Sequence, residues 1–352
     1  MELHSQGWNA KLEENFESFK QKDLKVGRVT SKKKDNYLIT VEGESIITAK
    51  ITGKFRYNAL LNKDFPAVGD WVVYEMKENN KQAFIHAILP RENAYVRKIP
   101  ISGGRKFKRG VIEGGKTEEQ VIASNINTAF IVIGLDNNFE IRRLERFLTL
   151  VFNSEIEPVI ILNKADLCFH VDDYINQVKE VADKVPVFSV SAEKNVNMDI
   201  FLQYLRYGET VIFLGSSGVG KSTITNYLVG DERQKIQAIS KSTGKGRHTT
   251  TNSELIFLQT GGIIVDTPGV KELQLWGDEE VLDQSFEEIK QLSYDCKFRN
   301  CQHREEPGCA IQKAVNDQWL SQSRVNSYQK QLTELQRLNT RRRDFEKKSN
   351  KK

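Results

Sequence analysis

Hydrophobic and polar positions along the 352-residue chain change their pattern four times. Trp8, Leu12, Phe16 and Phe19 recur at roughly helical spacing, which predicts an amphipathic lead-in helix within residues 1–23. From 24 to 96 the pattern shortens to β-type runs broken by turns, at residues 26–29, 37–41, 46–51, 70–74 and 83–88. Five short strands predict a small barrel, OB-like in first place and SH3-like as the alternative, because strand count alone separates the two poorly. Residues 97–119, with Gly103-Gly104, Gly114-Gly115 and interleaved Arg105, Lys106, Lys108 and Arg109, carry neither period and predict a mobile basic linker.

Residues 120–276 then alternate strand and helix. Apolar runs at 128–135, 158–162, 187–190 and 210–214 are each followed by a helical pattern, at 142–152, 171–184, 198–207 and 221–229. This predicts an α/β unit around a largely parallel sheet. Residues 277–352 read as helical, interrupted between Cys296 and Cys309, and end in a polar basic helix with Val325, Tyr328, Leu332, Leu335 and Leu338 on one face. That tail reads as a surface helix, not a core element.

Charge and cysteine content sharpen this picture. The net charge of +5 is uneven: residues 324–352 carry +7 and residues 97–116 carry +6, which leaves eight net negative charges on the rest. Such basic segments are either solvated faces or phosphate-gathering surfaces. The longest apolar stretch, residues 129–135, is far short of the roughly 20 residues of a spanning helix. The start of the chain has no basic-then-apolar leader pattern, so neither membrane insertion nor secretion is expected. Three of the four cysteines fall within fourteen residues, which points to a reducing compartment and a metal in place of a disulfide framework.

The sharpest motif is Gly215-Ser216-Ser217-Gly218-Val219-Gly220-Lys221-Ser222, followed by Thr223. It fits G-x-x-x-x-G-K-[ST] between an apolar strand and a helix, the context the pattern requires. Its glycines let backbone N–H groups converge on phosphate oxygens, Lys221 bridges the outer phosphates and Ser222 ligates Mg²⁺. Downstream, Asp266-Thr267-Pro268-Gly269 ends a buried strand, with Asp266 placed to reach Mg²⁺ and the Gly269 N–H to meet a γ-phosphate. Between them, residues 241–251 are polar and irregular, either a flexible loop or a switch loop in which Thr250 closes on Mg²⁺. Asn163-Lys164-Ala165-Asp166 ends another strand, and Asp166 there can accept from the ring N–H and exocyclic amine of guanine. Ser191-Ala192 follows a third strand and can add an N–H toward the guanine carbonyl. A P-loop ATPase with a chance Asn-Lys-Ala-Asp is the competing reading. Cys296, Cys301, His303 and Cys309 form a closely spaced Cys₃His set, with Pro307-Gly308 turning the chain before the last thiol, which suits a closed structural Zn²⁺ site. Cys168 lies outside it and reads as a free core or surface thiol.

The order of these motifs is inverted. The base-reading Asn163 comes 52 positions before Gly215, where familiar GTPases have it after the phosphate loop. Circular permutation accounts for this if the original termini lay close together and the segment 207–210 joins them. With permuted order, barrel and Cys₃His cluster together, the chain resembles the bacterial circularly permuted RsgA-like GTPases over about residues 24–320. The resemblance implies an OB domain, a central permuted GTPase domain and a C-terminal zinc domain. It also implies GTP held by Asn163, Lys164, Asp166 and residues 215–223, zinc held by Cys296, Cys301, His303 and Cys309, and a role in late maturation of the small ribosomal subunit. Binding to that subunit and its 16S rRNA, and hydrolysis stimulated by it, follow from the same resemblance; a cytoplasmic monomer is expected, with other assembly factors as further partners. The insert at 100–115 is longer than the family's usual connection, and the tail past Trp319 is not fixed by the motifs. An RNA-binding module with structural GTP is the alternative.

Val270 stands where many GTPases carry a glutamine that orients the attacking water, and valine cannot hydrogen-bond water. Slow intrinsic turnover is expected. His248, in the run Gly246-Arg247-His248-Thr249-Thr250, is the nearest group able to take that role, with Lys221 and Gly269 as the other catalytic candidates.

Overall fold

The computed structural model describes residues 2–20, 24–33, 35–43, 46–77, 82–100, 117–136, 139–230, 253–267, 280–304 and 306–349. Strands β1 (Lys25–Lys33), β2 (Asn36–Thr40), β3 (Ile46–Ile51), β4 (Trp71–Met76) and β5 (Gln82–Ile88) close a barrel in the order β1-β2-β3-β5-β4. The β3–β5 pair is parallel and β4 returns to pair with β1, which is OB topology, with helix α2 (Gly53–Asn58) between β3 and β4. A register shift between Val29 and Ser31 lets β1 pair with both β2 and β4. Val29, Ile39, Ala49, Val72 and Ile85 fill the interior. The lead-in helix α1 (Ala10–Lys20) buries Leu12 and Phe16 against the barrel, where Trp8 meets Trp71 edge-on at 4.8 Å.

Strands β6 (Ala94–Pro100) and β7 (Thr117–Ser124) form an antiparallel hairpin. Arg97–Pro100 and Thr117–Glu119, read from sequence as ends of an irregular linker, are therefore paired strand residues. Across the pair Arg97 Nε donates to Gln120 Oε1 at 3.0 Å, a cross-strand contact that a period count over one strand cannot detect. The insert 101–116 lies outside the described residues.

The central sheet runs β10 (Val187–Ser189), β9 (Glu157–Asn163), β8 (Thr128–Gly134), β11 (Thr210–Leu214), β13 (Ile263–Asp266), β12 (Glu254–Phe257), parallel except for β12. Its strands read as unbroken apolar runs because both faces are covered. Ala129, Ile131 and Ile133 of β8 face helices α3 (Ile141–Asn153) and α4 (Val171–Lys179), whereas Phe130 and Val132 face α5 (Lys221–Val229) and the turn at Met198–Gln203. Ser31 pairs with Glu254, so barrel and central sheet are continuous. At this junction Arg28, fully buried, donates to the carbonyls of Gly69, Gln6 and Asn125, and burial lowers its pKa to about 10.

The C-terminal unit contains α6 (Glu280–Ser285), α7 (Glu287–Ser293), the cysteine-bearing turn, α8 (Ala310–Asn316) and α9 (Gln322–Ser349). Leu282, Phe286, Ile289, Ile311, Val325 and Leu335 pack together with Leu150 of α3. The start of α9 is thus a core element and not the surface helix its polarity predicts. Arg324 and Ser327 donate to Glu145 and the Gln331 Oε1 accepts from Thr149, so most of this polar burial is compensated by α3, although the buried Gln331 Nε2 finds no partner among the described residues. The side chain of Leu338 lies outside the described residues. Among the described residues no helix is long and apolar enough to cross a membrane.

Candidate nucleotide site and metal centre

Parallel strands bring their C-terminal ends to one edge, and the motif residues collect there. Residues 215–220 form the turn from β11 into α5. Gly215, Gly218 and Gly220 have φ of 146°, 82° and 100°. Two of them are also needed for space: a Cβ on Gly215 would stand 2.3 Å from the Val132 carbonyl oxygen, and one on Gly220 2.1 Å from Asn163 Nδ2. Lys221 Nζ donates to the carbonyls of Gly215 and Ser216, both at 2.7 Å, and burial lowers its pKa. Ser217, Gly218, Ser222 and Thr223 are exposed along this turn, while Val219 is anchored in the core.

Asn163 is 2 % exposed and joins three motifs. Its Nδ2 donates to Val219 O at 2.8 Å, and its Oδ1 accepts from the Ala192 N–H at 3.0 Å. Lys164 adopts a left-handed backbone, φ 66°, and its ammonium meets Asp136 Oδ2 at 2.6 Å. Asp166 is exposed and accepts from Ser191 Oγ at 2.5 Å, while that same hydroxyl accepts from the Lys194 N–H. Asp266 ends β13, one residue beyond the Val265–Ile212 pair, on the edge from which residues 215–220 depart. His248, Thr250 and Gly269 lie outside the described residues, as do Arg247 and Val270.

Two contributors escape a motif search. Asp136 follows the end of β8 and holds Lys164, a position recognisable only as a carboxylate just past a strand terminus. Arg143, on the first turn of α3, donates from Nη1 to Ser216 Oγ at 3.0 Å. Nothing in its sequence context marks it.

In the C-terminal unit the donor atoms of Cys296, Cys301, His303 and Cys309 all lie within 4.8 Å of one another. Cys296 Sγ is 3.6 Å from His303 Nδ1 and 3.9 Å from Cys309 Sγ, and Cys309 Sγ is 3.7 Å from His303 Nδ1. Tetrahedral Zn–S and Zn–N bonds of about 2.3 and 2.0 Å give edges of about 3.5 to 3.8 Å, so the donor set fits a four-coordinate metal ion. The Cys301 thiol is pushed up to about 12, first by burial and further by the neighbouring sulfurs, and burial lowers His303. A divalent cation supplies the charge that thiolates in such a site require. Outside the ligands, Gln312 and Gln329 donate to the His303 carbonyl at 2.7 and 2.8 Å, and Glu306 accepts from the N–H groups of Gln302 and Arg304. Those backbone bonds hold the Glu306 carboxyl down to about 2. Cys168 is half-buried and packs on the central core.

Comparison with known proteins agrees with this geometry. Residues 106–276 match the RsgA GTPase family. The chain is 42 % identical over 320 residues to the small ribosomal subunit biogenesis GTPase RsgA 2 of Lactiplantibacillus plantarum, covering 90 % of this chain and 85 % of that protein. Its structure is similar to crystal structures of YjeQ from Thermotoga maritima (TM-score 0.64, 26 % identity, 89 % of this chain and 98 % of that one) and of YloQ, described as a circularly permuted GTPase (TM-score 0.60, 26 % identity, 89 % and 95 %). The barrel, the permuted order of its sheet and the extent of these matches establish that the chain belongs to the RsgA GTPase family, whose members hydrolyse GTP.

Proposed function

We propose that this GTPase assists late maturation of the small ribosomal subunit, that the subunit stimulates its slow hydrolysis, and that nucleotide state controls docking. The observation that carries the nucleotide site is Asn163, whose single amide ties residue 219 of the phosphate loop to Ala192 of the base-reading loop. A side chain buried between two such loops fixes their spacing, which a nucleotide held by phosphates at one end and base at the other needs. The partner is supported by relatives that carry the name small ribosomal subunit biogenesis GTPase.

In this reading Asp166 selects guanine, Lys164, Ser191 and Ala192 line the base, and residues 215–223 hold the phosphates. Ser222, Thr250 and Asp266 would hold Mg²⁺, which neutralises charge on the outer phosphates when bound. Lys221 stabilises the transferred phosphoryl group, the Gly269 N–H meets it, and His248 orients water. Cys296, Cys301, His303 and Cys309 would hold one structural Zn²⁺, four protein ligands leaving no open position for catalysis. The contacted surface is 16S rRNA, in the cytoplasm, by a monomer, with other assembly factors as further partners. Tyr57, 86 % exposed and flanked by Lys54 and Arg56 on the barrel, supports an RNA contact, because aromatic faces and cations together hold unpaired bases. Affinity for purified small subunits, measured with a non-hydrolysable GTP analogue, with GDP and without nucleotide, tests the switch. Tighter binding with the analogue is expected, and equal affinity in all three states contradicts it in favour of an RNA-binding module with structural GTP.

A further inference from the structure

Ser216, the second residue of the phosphate loop, is held from two sides. Its carbonyl accepts from Lys221 Nζ at 2.7 Å, and its hydroxyl accepts from Arg143 Nη1 at 3.0 Å. The same guanidinium pairs through Nη2 with Glu140 at 2.7 Å, so much of its charge is locally neutralised. Lys221 must leave the loop carbonyls to reach a bound phosphate. Once it does, the bond from Arg143 stays as a side-chain tether on Ser216.

The helix that carries Arg143 is itself fixed. Two residues on, Glu145 meets Arg324 of α9 at 2.6 Å, and Thr149 and Arg146 meet Gln331 and Glu334 of the same helix. Arg143 therefore connects the phosphate loop to an element that cannot readily shift. A loop that binds phosphate through backbone N–H groups gains affinity from being ordered before the ligand arrives.

We infer that Arg143 is a positioning residue: its bond to Ser216 pre-orders the phosphate loop on α3 and strengthens binding of GTP and GDP alike. The inference rests on reading residues 215–222 as the phosphate loop. Binding of fluorescent GTP and GDP analogues, with steady-state turnover, is measured for wild type, Arg143→Ala, Ser216→Ala, the double variant and, as a control on that reading, Lys221→Ala. Loss of one hydrogen bond of this kind corresponds to about fivefold. Each of Arg143→Ala and Ser216→Ala is expected to raise Kd for both nucleotides by that factor, Arg143→Ala to raise KM likewise with kcat unchanged, and the double variant to be no weaker than the weaker single one. An unchanged Kd in Arg143→Ala overturns the inference. So do effects that multiply in the double variant, an effect of Arg143→Ala without one of Ser216→Ala, or a loss confined to kcat. Wild-type binding by Lys221→Ala overturns the phosphate-loop reading and this inference with it, whereas loss of binding in Lys221→Ala beside an unaffected Arg143→Ala overturns this inference alone.

Discussion

Glu145 on α3 and Arg324 on α9, 179 residues apart in the chain, form a buried ion pair with Nη1 and Oε1 at 2.6 Å. The guanidinium also donates to Glu288 Oε1 and the Ser285 carbonyl, and lies 4.1 Å from the centre of the Phe286 ring. Ser327 donates to the second Glu145 oxygen. One arginine thus gathers α3, α6, α7 and α9 at a single point. Truncating Glu145 leaves that cation buried with Glu288 as its sole carboxylate among the described residues. Glu145→Ala is expected to destabilise the docking of α9 by about 3 kcal/mol, whereas a Glu145→Met/Arg324→Met pair costs less, because no unpaired charge is left inside. Urea unfolding of the three proteins checks this order.

Gly220 and Gly218 make a second contrast. Both have positive φ, but a Cβ on Gly218 meets nothing within 4 Å, whereas one on Gly220 strikes the Asn163 amide. Gly218→Ala bears only the backbone cost, about 1 kcal/mol, or roughly fivefold in GTP affinity. Gly220→Ala must also break the Asn163 bonds to Val219 and Ala192, for a total of about 3 kcal/mol, or roughly a hundredfold. Nucleotide titration of both variants measures the ratio.

Asp166 supplies the selectivity test. An Asn at this position cannot accept from both guanine donors, but it can donate to a xanthine oxygen. Asp166→Asn should therefore lose GTP affinity by at least tenfold and gain affinity for xanthosine triphosphate. Competition binding with the two nucleotides reads this directly, and an unchanged preference would show that Asp166 does not face the base.

Metal removal probes the Cys₃His set. One equivalent of zinc should accompany the purified protein, and Cys301→Ser or a strong chelator should release it. Circular dichroism of the stripped protein should show loosened structure around residues 296–309, with the central unit still able to bind GTP. Elemental analysis that finds no zinc at any stage contradicts the assignment.

Most of the architecture is written in local pattern. The apolar runs of β8, β9 and β11 and the turn residues between β1 and β5 are legible because burial on one or both faces leaves a period in the sequence. The motif positions at strand ends are legible because each needs a fixed residue type at fixed spacing. Pairing across distance is not. Arg324, Ser327 and Gln331 look like solvated residues until Glu145 and Thr149 are set opposite them, and those are polar too. Asn163 likewise reads as a base contact, while its bonds to Val219 and Ala192 exist only once the four strands β10, β9, β8 and β11 lie side by side.

Turnover of GTP and of ATP by the purified protein in Mg²⁺ buffer, with and without small ribosomal subunits, tests assembly-coupled GTP hydrolysis most directly. Slow hydrolysis selective for GTP, accelerated at least tenfold by the subunit, is the expected result, since Val270 cannot orient water and another residue or the partner must supply that role. Tight GTP binding with no acceleration by the subunit, or equal turnover of ATP, would contradict it.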